Sequence, residues 1–303
     1  MTTVRLPFTV SAPASSGNLG PGFDVLAMAL ELRNLVKVTN GAGTVHVKGH
    51  GAGSLPTDSS NLVARGFQIA AGSSIADAGL DLHCDNRIPP ARGLGSSTAA
   101  AACGLVAGWH HAGTEWDEDT LFEALAELDG HPDNAAACAH GGIVLCRDEP
   151  GSDDDGIDVV ALGAADWLTP IAVVPDRELS TAESRAALPA TYDRADVVRA
   201  ISAAGLLVGG LIGGHVELVQ DALHGDVVHE PHRAALVPEL AEVREATAHT
   251  DALGATLSGA GPTVLVWCTP DAVTQAHGSL SIDFPHAELL TLACAHEGAR
   301  VER

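Results

Sequence analysis

Apolar and polar positions along this chain fall into short runs separated by glycine-rich breaks, and the runs read as a mixture of strands and helices. Arg5 to Val10 reads as a strand, and Leu82 to Pro89 alternates loosely and reads as another. Asn34 to Thr39 and Thr44 to Lys48 are expected to pair through a Gly41-Ala42-Gly43 turn. Thr98 to Trp109 is rich in Ala, Leu and Val, without proline, and predicts a helix. A helix is expected from about Asn61, with Asp58 to Ser60 as candidate caps. Glu118 to Leu128 shows apolar residues at helical spacing, and a turn is expected over His110 to Trp116. Glu149 to Asp158 is rich in Gly, Ser and Asp and predicts a surface junction, dividing the chain into 1-158 and 159-303. Beyond it come a strand at Leu168 to Pro175, a long glycine-interrupted helix over Ala200 to Gln220, and an amphipathic segment over Leu236 to His249. Ala255 to Trp267 reads as strand, glycine turn, strand; a closing helix is expected over Glu288 to Ala295 and a short edge strand over Arg300 to Glu302.

Composition adds a soluble, acidic surface to this picture. The 303 residues are 46% hydrophobic but only 3% aromatic, and the formal net charge is -23. Lys37 and Lys48 are the only lysines. Such a charge repels nucleic acid and anionic membranes, so neither is an expected partner. It suits concentrated salt, where screening removes self-repulsion, and a halophilic source is the expectation. The six cysteines form no Cys-x-x-Cys pair and read as small core residues. No secretory leader is read at the N-terminus, and the Ile201 to Ile212 run is short and glycine-broken, so a cytoplasmic location is expected.

Candidate chemistry centres on Pro89-Pro90-Ala91-Arg92-Gly93-Leu94-Gly95-Ser96-Ser97-Thr98-Ala99. A strand, a glycine turn and a helix start hold phosphate well: glycine admits close backbone approach, and the first helical N–H groups carry partial positive charge. Ser96, Ser97 and Thr98 stand where caps and first-turn hydroxyls belong. No lysine follows the glycines, which excludes a Walker A loop, and the third glycine of a dinucleotide fingerprint is missing. The string resembles the Pro-x-x-x-Gly-Leu-Gly-Ser-Ser-x-Ala signature of the GHMP small-molecule kinases.

Four further blocks resemble the homoserine kinases of that superfamily. Ser11 to Asp24 ends in Asn18-Leu19-Gly20-Pro21-Gly22-Phe23-Asp24; the resemblance places Asn18 and Asp24 against the amino acid substrate, with the Asp24 carboxylate suited to an ammonium group. Taken alone, the same loop reads as a turn with Asx caps. Asp129-Gly130-His131-Pro132-Asp133-Asn134 resembles a block whose acid binds Mg²⁺ and whose His contacts substrate. Here the acid is Asp129, one methylene shorter than the family Glu, with Glu127 as fallback. His131 alone reads as a helix-terminus residue complementing the dipole. Asn134 stands where mevalonate-type relatives carry a base, so the resemblance implies catalysis by positioning and charge neutralisation. Thr181 and Arg185, four apart on one helical face, and Arg233 resemble the residues that hold substrate; two guanidiniums can clamp a carboxylate. A lone arginine would read as a salt-bridge partner. Gly259 and Gly261 fall in a loop resembling the third superfamily motif, whose plain reading is a hairpin turn. Asn61 is either a helix cap or, by resemblance, a neighbour of the adenine.

The resemblance implies an α+β fold of two domains, one like domain 2 of ribosomal protein S5 and one ferredoxin-like. It further implies ATP and Mg²⁺, the latter held by Ser97 and Asp129, transfer of the γ-phosphoryl group to the hydroxyl of L-homoserine, and a homodimer. Asn134, Thr181 and Arg185 are the residues expected to act in catalysis. Other GHMP kinases acting on mevalonate, shikimate or pantoate, and a non-catalytic ATP-binding relative, are the alternatives. Mevalonate, shikimate and pantoate lack an ammonium group, so the acid suited to one is the feature that separates homoserine from them.

Overall fold

The computed structural model describes residues 4–148 and 156–302. Two sheets organise it. The larger has seven strands: β1 (Phe8–Gly17), β2 (Leu26–Asn40), β3 (Val45–Gly49), β4 (Leu80–Asn86), β5 (Ile143–Asp148), β6 (Ile157–Gly163) and β11 (Arg300–Val301). Its path runs β11-β1-β2-β4-β3, with β5 on the first part of β2 and β6 outside β5. Against it lie α1 (Leu62–Ala71), α2 (Ser96–Ala112), α3 (Glu118–Asp129) and α4 (Pro132–His140). The smaller sheet holds β7 (Ile171–Val174), β8 (Gly254–Leu257), β9 (Val264–Trp267) and β10 (Glu288–Thr291). Around it are α5 (Thr181–Ala186), α6 (Arg194–Gly213), α7 (Val216–Leu223), α8 (Glu230–Arg233), α9 (Glu239–Thr247) and α10 (Val273–Asp283). Its order, β10-β7-β9-β8, is all antiparallel and numbers 4-1-3-2 within the unit, the ferredoxin-like arrangement.

The α2 helix is the centre of the larger core. Ala99, Ala101, Ala102, Cys103, Leu105, Val106 and Ala107 are all buried, so small residues let it sit close to both α1 and the sheet. All six cysteines are buried; burial pushes the Cys84 and Cys146 thiols up to about 12 and Cys268 up to about 11, which keeps them protonated core residues.

Several expectations need correction. Residues 11–17, read as loop, extend β1: Ser11 and Ala12 continue its register with β2, and a bulge after Pro13 absorbs the proline. The strands on either side of Gly41–Gly43 do not pair; β4 lies between them and runs parallel to β3, a placement local alternation does not encode. The α1 helix is capped by Asn61, whose Oδ1 accepts from the Val63 amide, while Asp58 closes a turn onto Ser60. His110 and His111 belong to α2 and sit against Phe8 and Phe67 rather than in a solvated loop. The long apolar helix is two, α6 and α7, broken at Gly214 in left-handed conformation. The last expected helix begins instead as β10, because Glu288 to Thr291 completes the smaller sheet beside β7. Of the junction expected over Glu149 to Asp158, residues 149–155 lie outside the described residues, and Ile157 and Asp158 begin β6. β6 pairs with β5, so a boundary between 158 and 159 runs through a strand of the larger sheet.

Candidate active site

A cavity of about 470 Å³ opens between the two sheets. One wall is the bend from β4 into α2. Gly95, at φ 66°, is the N-cap of α2 and makes no side-chain cap hydrogen bond, and Gly95 to Thr98 line the cavity. Ser96, Ser97 and Thr98 therefore stand in the first turn, as hydroxyls there and not as caps. Ser96 instead donates its hydroxyl to Ile88 O at 3.1 Å, while Ser97 and Thr98 line the cavity. Three hydrogen bonds from two separate segments fix the bend. Ser15 N donates to Leu94 O (3.1 Å), Ser258 Oγ to Gly93 O (2.6 Å) and Thr263 N to Arg92 O (3.3 Å). A Cβ on Gly93 would lie 2.2 Å from Ser258 O, so a glycine is required for this close approach. The loop that holds Gly259 and Gly261 thus packs against the bend, and both glycines line the cavity.

Of the bend, Pro90 through Thr98 line the cavity. Pro89 and Ala99 do not: both are buried behind the bend, Ala99 because its position on α2 points into the core. Asn61 lines the cavity and caps α1 at once, so its two readings coexist; Leu55, Pro56 and Leu62 form an apolar wall beside it.

The opposite wall carries charge. Asn18 and Asp24 hold left-handed backbone conformations, φ 69° and 55°, in the loop after β1. Asn18 Oδ1 accepts from the Asp24 amide at 3.0 Å, and its Nδ2 donates to Gly259 O at 2.8 Å, which ties the two halves together. With Leu19 at φ 49°, three such non-glycine residues in a short segment are backbone strain of the kind that clusters at functional sites. Arg185 donates from Nη1 and Nη2 to Oδ2 and Oδ1 of Asp24, both at 3.0 Å. Thr181 lines the cavity one helical turn before Arg185.

Arg233 is only 2% exposed yet reaches the wall. Its guanidinium donates to Ser184 O (3.3 Å) and Gly259 O (3.3 Å) and contacts His229 Nδ1 at 3.1 Å, and it lies 5.5 Å from the Phe23 ring centroid. Burial lowers its pKa, and Asp24 opposes that by raising it. His229, which sequence reasoning did not single out, holds Arg233 from behind the wall. Burial, first, and Arg233 hold its pKa down against Asp226, so the ring is neutral. With the Nε2 proton on Gly20 O at 2.8 Å, Nδ1 is left as the acceptor for Arg233. Only the fold brings Gly20 to His229, so no local pattern announces the pair.

His131 and Asn134 line the cavity from the start of α4. His131 follows Gly130, the C-cap of α3, and is the N-cap of α4, so it stands at a helix terminus as expected. Asn134 Oδ1 accepts from Ser15 Oγ at 2.9 Å. The side chain of Asp129 lies outside the described residues. Glu127 is exposed and off the cavity wall.

Residues 61–142 match the model for the GHMP kinase N-terminal domain and residues 207–286 that for the GHMP kinase C-terminal domain. A homoserine kinase from Deinococcus radiodurans is 42% identical over 88% of this chain and 85% of its own. One from Desulfitobacterium hafniense is 37% identical over 96% and 99%. The crystal structure of homoserine kinase from Cytophaga hutchinsonii superposes with a TM-score of 0.84, covering 100% of this chain and 99% of that one at 25% identity. Phosphomevalonate kinase from Streptococcus pneumoniae shares the fold, with a TM-score of 0.69 at 15% identity over 96% and 100%.

Proposed function

The chain belongs to the homoserine kinases of the GHMP kinase family, and on that premise we propose how its cavity divides the work. The enzyme is a phosphotransferase that moves the γ-phosphoryl group of ATP to the side-chain hydroxyl of L-homoserine, giving O-phospho-L-homoserine for threonine synthesis. In our reading the α2 N-terminus and the Gly93–Thr98 backbone hold the triphosphate. Asn61 and its apolar neighbours hold the adenine. Asp24 takes the α-ammonium, and Arg185 and Arg233 take the α-carboxylate, with Asn18, His131 and Thr181 orienting the chain between them. Asn134, fixed by Ser15, faces the acceptor hydroxyl. The observation that carries the reading is that the helix start and both guanidiniums face one cavity.

Mg²⁺ takes hard oxygen donors and is held by one or two protein groups plus substrate phosphates. The Ser97 hydroxyl on the cavity wall fits that chemistry, and Ser97 with Asp129 is the ligand pair we propose. Bound there, the ion would neutralise phosphate charge during transfer. The net charge supports a cytoplasmic enzyme of a halophilic archaeon, its surface adapted to concentrated salt. The α6 helix supports a homodimer. By length and composition it could cross a membrane, with a mean hydropathy of 1.7. One face nevertheless buries Ala203, Leu207 and Leu211 in the core, leaving Val198, Ile201 and Ile212 exposed as a contact surface for a second copy.

A coupled ADP-release assay with homoserine, ATP and Mg²⁺ in molar KCl tests the assignment. Turnover should require homoserine and fall away without Mg²⁺. Absence of turnover with homoserine, alongside turnover with mevalonate, shikimate or pantoate, would refute it.

A further inference from the structure

The two arginines of the cavity are held in different ways. Arg185 donates both terminal nitrogens to the Asp24 carboxylate. Every hydrogen bond that Arg233 makes among the described residues goes instead to a neutral acceptor: Ser184 O, Gly259 O and His229 Nδ1. A guanidinium this buried ordinarily takes a carboxylate partner from the protein. Here a ring stands behind it. His229 is fully buried, four residues before Arg233 at the head of α8.

An arginine can only donate, so its 3.1 Å bond to Nδ1 needs that nitrogen without a proton, and the ring proton stands on Nε2. Nε2 donates to Gly20 O at 2.8 Å, in the loop that carries Asp24, and the Phe23 ring stacks on the imidazole with centroids 5.3 Å apart. Asp226 Oδ2 lies 3.6 Å from Nε2, but that carboxylate already accepts from the Val228, His229 and Glu230 amides. The loop has ties of its own: Asn18 closes it onto the Asp24 amide and fastens it to Gly259 O. Arg233 depends on the ring more closely. A carboxylate in place of Nδ1 would neutralise the guanidinium and compete with any carboxylate arriving from the cavity. An apolar group there would leave a buried N–H without its acceptor.

Resting on the reading of Arg233 as a holder of the substrate carboxylate, we propose that His229 is a positioning residue for homoserine, its Nδ1 aiming the Arg233 guanidinium into the cavity while leaving the positive charge to the substrate. A neutral acceptor fixes the direction of the fork without pairing its charge. The bond to Gly20 fixes the ring in turn, and sets which nitrogen faces Arg233. The partners of the ring are Gly20, Phe23, Asp226 and Arg233, none of them in the bend from β4 into α2. Its effect therefore falls on homoserine binding and spares the nucleotide. An interaction made equally with bound substrate and transition state appears in KM and leaves kcat in place.

The test compares His229→Asn with His229→Gln in steady-state ADP release. The first sets an amide oxygen where Nδ1 stands and keeps the acceptor for Arg233; the second sets an amide N–H where Nε2 stands and keeps only the bond to Gly20. His229→Gln should raise KM for homoserine about tenfold or more, with kcat and KM for ATP changed by less than about threefold. His229→Asn should keep all three within about threefold of wild type. A ring that merely props the loop through Gly20 would give the reverse order. That order, equal rises in both variants, or no rise in His229→Gln overturns the proposal. Circular dichroism melting checks that both variants fold. Should either fail to, ring-nitrogen NMR of isotopically labelled wild type decides: His229 should carry its proton on Nε2, and a proton on Nδ1 overturns the proposal. Arg233→Met is measured alongside. An unchanged KM for homoserine there refutes the carboxylate role of Arg233 and the proposal with it. A rise of about tenfold or more in Arg233→Met but none in His229→Gln overturns the role of His229 alone.

Discussion

Asp24→Asn removes one charge from the ion pair that bridges the mouth of the cavity. Arg185 meets both oxygens of Asp24 at 3.0 Å, and the two side chains are 49% and 39% exposed. At about 4 Å and an effective dielectric of about 20, two unit charges attract by roughly 4 kcal/mol before desolvation and ordering are counted. Exposed pairs retain about 0.2–1 kcal/mol of this, so the substitution should cost folding about 1 kcal/mol or less. Binding responds more strongly. A charge-assisted hydrogen bond to the substrate ammonium contributes about 1.5–3 kcal/mol. Homoserine must also open the Asp24–Arg185 pair to reach either partner, and the variant removes that cost of up to about 1 kcal/mol. The net is a loss of about 0.5–3 kcal/mol, centred on about tenfold or somewhat more in kcat/KM. Steady-state ADP release should be measured with homoserine and with 4-hydroxybutyrate, which keeps the hydroxyl and carboxylate but lacks the ammonium. The variant should lose about tenfold or more on homoserine and change by less than about threefold on 4-hydroxybutyrate, because Arg185 is freed for its carboxylate. Equal losses on both compounds, or none on homoserine, would refute the role of Asp24.

Two further substitutions probe the bend and the outer helix. Gly95→Ala forces a left-handed residue and places a Cβ 2.1 Å from Ser15 Oγ, so it should cost about 2–4 kcal/mol in denaturant unfolding and weaken ATP binding measured by calorimetry. An unchanged ATP affinity would argue that the bend does not hold nucleotide. Ile201→Asp, at a residue 67% exposed on α6, should shift the mass seen by light scattering from dimer to monomer with little change in melting temperature; persistence of the dimer would place the interface elsewhere.

The local rules determined much of this protein. The phosphate-type bend was legible because strand, glycine turn and alanine-rich helix each follow from short-range preference, and the helix over Glu118 to Leu128 followed from spacing alone. The ferredoxin-like sheet and the residues of the amino acid clamp came through resemblance of short blocks. What the sequence could not fix was long-range pairing. Residues 11–17 look like a loop until β2 supplies their partners, and Glu288 to Thr291 read as a helix until β7 stands beside them. Pairing energy comes from the neighbour strand, and no local window contains the neighbour. The same holds at the site. His229 is placed by Gly20 at one ring nitrogen and Arg233 at the other, and Asp133 is buried where Gly17 leaves room for it. Burial and tautomer are properties of surroundings assembled from distant segments, so only the tertiary structure could assign these residues their chemistry.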